Sequence, residues 1–287
     1  METQDILAGQ FEQNRPHLRA VAYRMLGSLA EAEDAVQEAW LRLSRSSADA
    51  IENLGGWLTT VVARVCLDTL RSRKSRREES LAEQPAEPVI HKRASDPEQE
   101  AVLANSVGLA MLVILDTLPP AERLAFVLHD MFDLSFDEIA PIVDRTPTAA
   151  RQLASRARRR VQGKPITPSS DLTRQREVVD AFLAAARAGD FSALLNLLDP
   201  DAVLVSDAPG AAAELRGAEV IAKRAVLGGA RAAQAALVNG EVGVIVAPRG
   251  HLFMVIRVTS ENGKITRMEA IADPERLRHL DLALLGG

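Results

Sequence analysis

The chain has 287 residues, 47% of them hydrophobic and 25% charged, enough to bury substantial cores in two or three domains. Its formal charge is -5, and its lone cysteine, Cys66, excludes an intramolecular disulfide and any multi-cysteine metal site. Without a signal-peptide pattern or an apolar run of about eighteen residues, a soluble, cytoplasmic protein with no membrane contact is expected.

Residues 1–79 read as helical throughout. Leu18, Val21, Ala22, Met25 and Leu26 form one apolar stripe; Ala32, Ala35, Val36, Ala39 and Leu43 form another, with Gly27-Ser28 as the stop between them. The helix over 30–44 carries Glu31, Glu33, Asp34 and Glu38, and the helix dipole favours acidic residues near an N-terminus. Asp34, Gln37, Glu38 and Leu41 nevertheless share a face. Carboxylates, an amide and an apolar side chain together suit a basic protein partner better than solvent. A third run, Trp57, Leu58, Val61, Val62, Val65 and Leu70, follows Gly55-Gly56 and passes into Arg71, Arg73, Lys74, Arg76 and Arg77. Cys66 falls in this apolar run and is expected to be buried.

Residues 80–104 contain Pro85, Pro88 and Pro97 without a sustained period and read as a linker. Residues 105–164 are helical again, with runs at 107–118 and 121–132 separated by Pro119-Pro120. Ser135 and Glu138 then have capping-box spacing, and Phe136, Ile139, Ala140 and Val143 form one apolar face. Pro141 should shorten or kink this helix. Asp144 and Arg145 make a turn, Thr146 is a natural N-cap, and Pro147 suits the first helical position. Ala150, Leu153, Ala154, Ala157 and Val161 point inward; Thr148, Arg151, Gln152, Ser155 and Arg159 point outward.

Helix, tight turn and a second helix presenting Arg, Gln and Ser is the layout of a helix-turn-helix that reads DNA. Between Arg145 and Lys164 there are seven basic residues and no acidic one, so the positive potential is local on an acidic chain. Such a stripe should bind DNA weakly alone. Residues 165–173 read as a second linker, and residues 174–287 as an α+β domain. Helical runs cover 178–188 and 191–198; strand-like runs cover 202–205, 235–246, 252–259 and 265–271. Asn239-Gly240 and Asn262-Gly263 each sit between strand-like runs, the strongest short-range hairpin signal.

Glu33-Asp34-Ala35-Val36-Gln37-Glu38-Ala39-Trp40-Leu41, with Gly56-Trp57-Leu58-Thr59-Thr60-Val61-Val62-Ala63-Arg64 downstream, resembles region 2 of bacterial extracytoplasmic-function (ECF) sigma factors. The helix-turn-helix then corresponds to region 4. The resemblance implies two all-α domains and the functions of promoter recognition and transcription initiation. Core RNA polymerase would be the partner, through the clamp helices of its largest subunit and its flap, with Asp34, Gln37, Glu38 and Leu41 on the clamp. Asn53, Leu54, Trp57, Arg64, Asp68, Arg71, Arg73 and Lys74 would handle the minus-ten element. Trp57 fits core packing and a place beside single-stranded DNA equally well. Thr148, Arg151, Gln152 and Ser155 would read the minus-thirty-five element, with Arg156, Arg158 and Arg159 nearer phosphates. Arg suits guanine and Gln adenine, at about 1–3 kcal/mol of discrimination per bidentate pair.

The C-terminal segment resembles a SnoaL-like domain of the NTF2-like fold, a curved sheet and helices around a cone-shaped pocket. In sigma factors that carry one, it implies regulation in cis through intramolecular contacts with the sigma regions. Related folds include enzymes with an Asp or His base, for which Asp207, His251 and Asp273 are the candidates here. Structural roles suit these residues better, and no metal-ligand spacing, phosphate loop or nucleophile elbow is evident. The expected protein therefore has no catalytic residues, cofactor or metal. The alternative is a regulator whose pocket senses a ligand and whose helix-turn-helix binds an operator without a sigma role.

Overall fold

The computed structural model describes residues 2–46, 51–83, 108–163, 170–227 and 230–285. The linker expected at 80–104 lies, from residue 84 onward, outside the described residues, as does 165–169 of the second. Two compact units emerge, Met1–Leu103 with Leu115–Arg158 and Ala104–Ile114 with Arg159–Gly287.

The first unit begins with α1 (Glu2–Leu26), α2 (Leu29–Arg45) and α3 (Leu54–Glu83), which pack pairwise on one another. The two apolar stripes of α1 and α2 are buried against Leu58, Val62, Cys66 and Leu67 of α3. The break between α1 and α2 is made by Gly27 at φ 73°, whose N–H donates to the Tyr23 carbonyl at 2.8 Å. That left-handed conformation suits glycine because it has no Cβ. Ser28 then caps α2 by accepting from the Glu31 N–H.

The other helices of this unit are shorter. α4 (Leu109–Thr117) passes from the second unit into the first, followed by α5 (Pro120–Phe126), a π-helical turn over Val127–Met131, α6 (Phe136–Ile139) and α7 (Pro147–Gln162). The capping box forms: Glu138 N–H donates to Ser135 Oγ at 3.3 Å, and Ser135 N–H to Glu138 Oε2 at 2.9 Å. Pro141 shortens rather than kinks, since α6 ends at Ile139. Asp144 takes a positive φ of 55° in the turn, and Thr146 Oγ1 accepts from the Ala149 N–H at 3.3 Å. Ile139, Ala140, Val143, Ala150, Ala154 and Ala157 are all buried, whereas Phe136 is half-buried.

The second unit is α+β. Its sheet has the order β2 (Glu214–Arg216), β1 (Leu198–Ser206), β6 (Lys264–Ile271), β5 (Met254–Glu261), β4 (Glu241–Val246), β3 (Ala233–Val238), β7 (Leu282–Ala283). Only β1 and β6 run parallel; the other neighbours are antiparallel. α8 (Ser170–Ala188), α9 (Phe191–Leu197) and α10 (Ala218–Leu227) share one core with the sheet through Phe182, Leu183, Leu194, Ile221, Val244 and Met268. Both Asn-Gly pairs take positive φ at both residues, the type I′ geometry that matches strand twist. Gly243 on β4 is close-packed, since a Cβ there would lie 2.8 Å from the Ile256 carbonyl oxygen.

Four elements have no counterpart in the sequence reading: β2, β7, α10 and α11 (Pro274–Arg278). The first two are short edge strands. In α10 the buried positions are Ile221 and Ala222, whereas Val220, Val226 and Leu227 are exposed, so its apolar residues mark no inward face.

Candidate nucleic-acid and partner interfaces

On α2 the face opposite the core carries the expected partner-binding set. Leu29, Ala32, Ala35, Val36, Ala39 and Leu43 are buried, while Asp34 and Gln37 are exposed and Leu41 is 39% exposed. Glu38 is half-buried, and its Oε1 accepts from Arg42 Nε at 2.8 Å. Exposed amphipathic surface of this kind, on a helix already anchored by its other face, suits docking.

The start of α3 is organised by Asn53, whose Oδ1 accepts from Gly56 N–H at 3.0 Å while its carbonyl accepts from Trp57 N–H. Leu54 and Trp57 are half-buried, so Trp57 is neither full core nor fully turned out. Arg64, Asp68, Arg71 and Lys74 are exposed along α3, with Arg71 3.8 Å from Asp68. Two arginines of this set are engaged inside the protein. Arg64 donates to the Pro141 carbonyl at 3.2 Å, and Arg73 pairs with Glu31 and donates to the Leu26 carbonyl at 3.3 Å.

Along α7, Thr148, Arg151, Gln152, Ser155, Arg156 and Arg159 are exposed together. Arg158 differs, being half-buried and paired with Asp130 from the π-helical turn. Arg151 lies over the ring of Phe136, its guanidinium carbon 5.2 Å from the centroid. Of the positive stripe read in the sequence, Arg151, Arg156 and Arg159 are exposed on α7, Arg145 precedes the helix, and Lys164 lies outside the described residues.

One residue of consequence was hidden in the sequence. Arg123 on α5 is 1% exposed, donates from Nε and Nη2 to the Arg24 carbonyl near the end of α1, and meets Asp116 Oδ1 at 3.0 Å. A helix C-terminus attracts cations, and both donors converge on the single Arg24 carbonyl in the last turn of α1. Burial pulls the Arg123 pKa down, and Asp116 opposes that pull. The Cys66 thiol nearby is pushed up to about 12, chiefly by burial. An arginine between Glu122 and Leu124 gives no local sign that it will be enclosed.

The C-terminal carboxylates weighed as bases are engaged in contacts within their own domain. Burial raises the Asp207 pKa, but the Ala272 and Asp273 amides and Arg276 outweigh it, leaving the carboxyl below its usual range. Arg276 bridges Asp207, at 2.7 Å, to Glu269. Asp273 caps α11 by accepting from the Arg276 N–H at 2.9 Å, and His251 is exposed in a loop. A groove of about 580 Å³ along α8 and α9 is lined largely by Ala181, Ala184, Ala185 and Ala188. Its carboxylate, Asp190, is occupied in capping α9. Among the described residues there is no cluster of three or more His, Cys, Asp or Glu able to hold a metal ion. Nor is any helix there long and apolar enough to cross a membrane.

Two protein-family models match the chain in the order of these surfaces: Sigma-70 region 2 over residues 10–76, and Sigma-70, region 4 over residues 109–161. The chain is 40% identical to the ECF RNA polymerase sigma factor SigJ of Mycobacterium tuberculosis, over 93% of this chain and 92% of that protein. The crystal structure of M. tuberculosis SigJ aligns with a TM-score of 0.46 and 34% identity, covering 94% of this chain and 98% of that one. An NTF-2 like protein from Burkholderia xenovorans aligns over 34% of this chain and 81% of its own, at 20% identity and a TM-score of 0.28. The reading without a sigma role is not favoured, because both sigma regions are matched in order. Forty per cent identity to SigJ over nearly the full length of both proteins, together with the two matched regions, makes this chain a member of the ECF RNA polymerase sigma factor family.

Proposed function

We propose that this ECF sigma factor docks on the largest-subunit clamp helices of core polymerase through Asp34, Gln37, Glu38 and Leu41, with its region 4 on the flap. The α2 surface carries this reading: Asp34, Gln37 and Leu41 stand out on the face opposite a fully buried stripe. Asn53, Leu54 and Trp57 at the start of α3, with Arg64, Asp68, Arg71, Arg73 and Lys74 along it, handle the minus-ten element. Extruding a base costs a few kcal/mol, so capture needs a pocket beside a cationic track, and exposed Arg71 and Lys74 suit that track. Thr148, Arg151, Gln152 and Ser155 read the minus-thirty-five element while the exposed Arg156 and Arg159 face phosphates and Arg158, paired with Asp130, lies beside them, in the protein's cytoplasmic setting.

The C-terminal domain, residues 174–287, acts in cis on the sigma regions and performs no catalysis. Two hydrogen bonds of the second unit support the first statement. Gln234 Oε1 on β3 accepts from the Ala110 N–H at 2.9 Å, and Leu284 N–H donates to the Val161 carbonyl at 3.0 Å. Both join that domain to segments matched by the region 4 model. The structural employment of Asp207 and Asp273 supports the second.

Reconstituted transcription with purified core polymerase and a promoter library tests the whole reading. The full chain is expected to bind core and direct initiation from a subset of promoters. Asp34→Ala with Leu41→Ala is expected to weaken core binding; unchanged affinity supports some other docking face, and a wild-type chain that directs no initiation overturns the proposal.

A further inference from the structure

We infer that Phe136 is a positioning residue for promoter discrimination, a ring platform that holds Arg151 for base readout. This inference rests on the reading of Arg151 as a base-contacting residue of the minus-thirty-five element. Three arginines in or near the DNA-facing set are tied to oxygen atoms: Arg64 to the Pro141 carbonyl, Arg73 to Glu31, and Arg158 to Asp130. Arg151 is held differently. Its guanidinium carbon lies 5.2 Å from the Phe136 centroid, and among the described residues no carboxylate pairs with it. A contact through the π face uses none of the five N–H donors, so Arg151 keeps its full fork for a guanine edge.

The platform is itself braced. The His129 ring lies 4.0 Å from the Phe136 ring, centroid to centroid, at an interplanar angle of 33°. His129 Nδ1 is 2.8 Å from the Leu134 carbonyl oxygen, which can only accept, so Nδ1 carries the proton and fixes the imidazole. His129 is delivered to this place by the π-helical turn over Val127–Met131, a backbone feature frequent at functional sites. Phe136 is fixed from its own side by the Ser135–Glu138 capping box. That box also occupies the Glu138 carboxylate, removing a near acidic competitor on the same short helix. A long exposed side chain loses rotamer freedom when it binds a base, and prior restraint lowers that cost.

The test uses the full chain on core polymerase with a library varied at every minus-thirty-five position. Arg151→Ala identifies the position whose discrimination depends on Arg151. Phe136→Leu is expected to lower discrimination at that same position about two- to fivefold, the scale of an exposed cation–π contact, and to leave the other positions in their original ranking. Phe136→Tyr, which keeps the ring, restores it, and Phe136→Leu adds no further loss in the Arg151→Ala background. Thermal melts of each variant establish that it is folded. If Phe136→Leu lowers output evenly across the library, or if Phe136→Tyr fails to restore discrimination, the platform role is overturned while the readout by Arg151 stands. If Arg151→Ala itself leaves discrimination unchanged, the readout falls and the platform with it.

Discussion

Arginines that look alike in the sequence divide in the structure by what holds them. Arg151 and Arg159 are exposed on α7, whereas Arg158 between them is half-buried against Asp130. Arg151→Ala should therefore collapse discrimination at one base pair. Arg159→Ala should weaken binding evenly and lower the salt slope by about one, as read from promoter-complex affinity at several salt concentrations. Equal, sequence-blind losses from both would place the reading face elsewhere. Cys66 gives a second prediction at this scale. Cys66 is fully buried and its thiol is pushed up to about 12, so it carries next to no thiolate at pH 8. Iodoacetamide should then label the folded chain far more slowly than the urea-unfolded one; comparable rates would contradict its burial. The apolar run around Cys66 announced that burial. Nothing announced Arg123, because residue type alone argues that arginine is solvated and only a carbonyl-rich helix end at the right distance reverses it.

Helices with strong start signals were legible because capping is local chemistry. The box at Ser135 and Glu138 needs no tertiary contact to form. Ser135→Ala should cost about 1 kcal/mol in denaturant-induced unfolding at neutral pH. The Ser135 hydroxyl and amide hold the Glu138 carboxyl below its usual 4.5 in the folded chain. That stabilisation is fully present above pH 4.5 and is lost as pH falls through the lower folded value, so the penalty of Ser135→Ala should shrink in acid. A penalty that grows in acid would refute the linkage. The α5 arginine belongs here too, since Arg123→Met leaves Asp116 and the Arg24 carbonyl without their donor and should destabilise by on the order of 3 kcal/mol. A melting temperature unchanged in that variant would show that Arg123 holds nothing. By contrast α10 was illegible, because Val220, Val226 and Leu227 are solvent-facing and its buried side chains number few. Edge strands β2 and β7 are two or three residues long, too short to show a period.

For the molecule as a whole, the proposed action in cis puts weight on the bond from Ala110 N–H to Gln234. Gln234→Leu should change transcription output from reconstituted polymerase with little change in affinity for core; identical promoter output would remove this contact from the regulatory account. Sequence by itself determined the helical and α+β segments, both Asn-Gly hairpins, the buried stripes of α1 to α3 and the exposed reading helix. Periodicity, caps and turn chemistry are short-range, so residues within about one or two turns of one another dictate them. Tertiary structure alone decided which arginines are tied to other residues and that Asp207 accepts from the Ala272 and Asp273 amides and Arg276. It also set the Phe136 ring beneath Arg151. Those outcomes depend on partners far along the chain, as Arg64 on Pro141 and Asp207 on Arg276, and the long-range approach of two charged or polar groups leaves no pattern in the local sequence. The outward basic helix marked the surface proposed to read DNA; the packing around it decided which of its side chains are held by other residues.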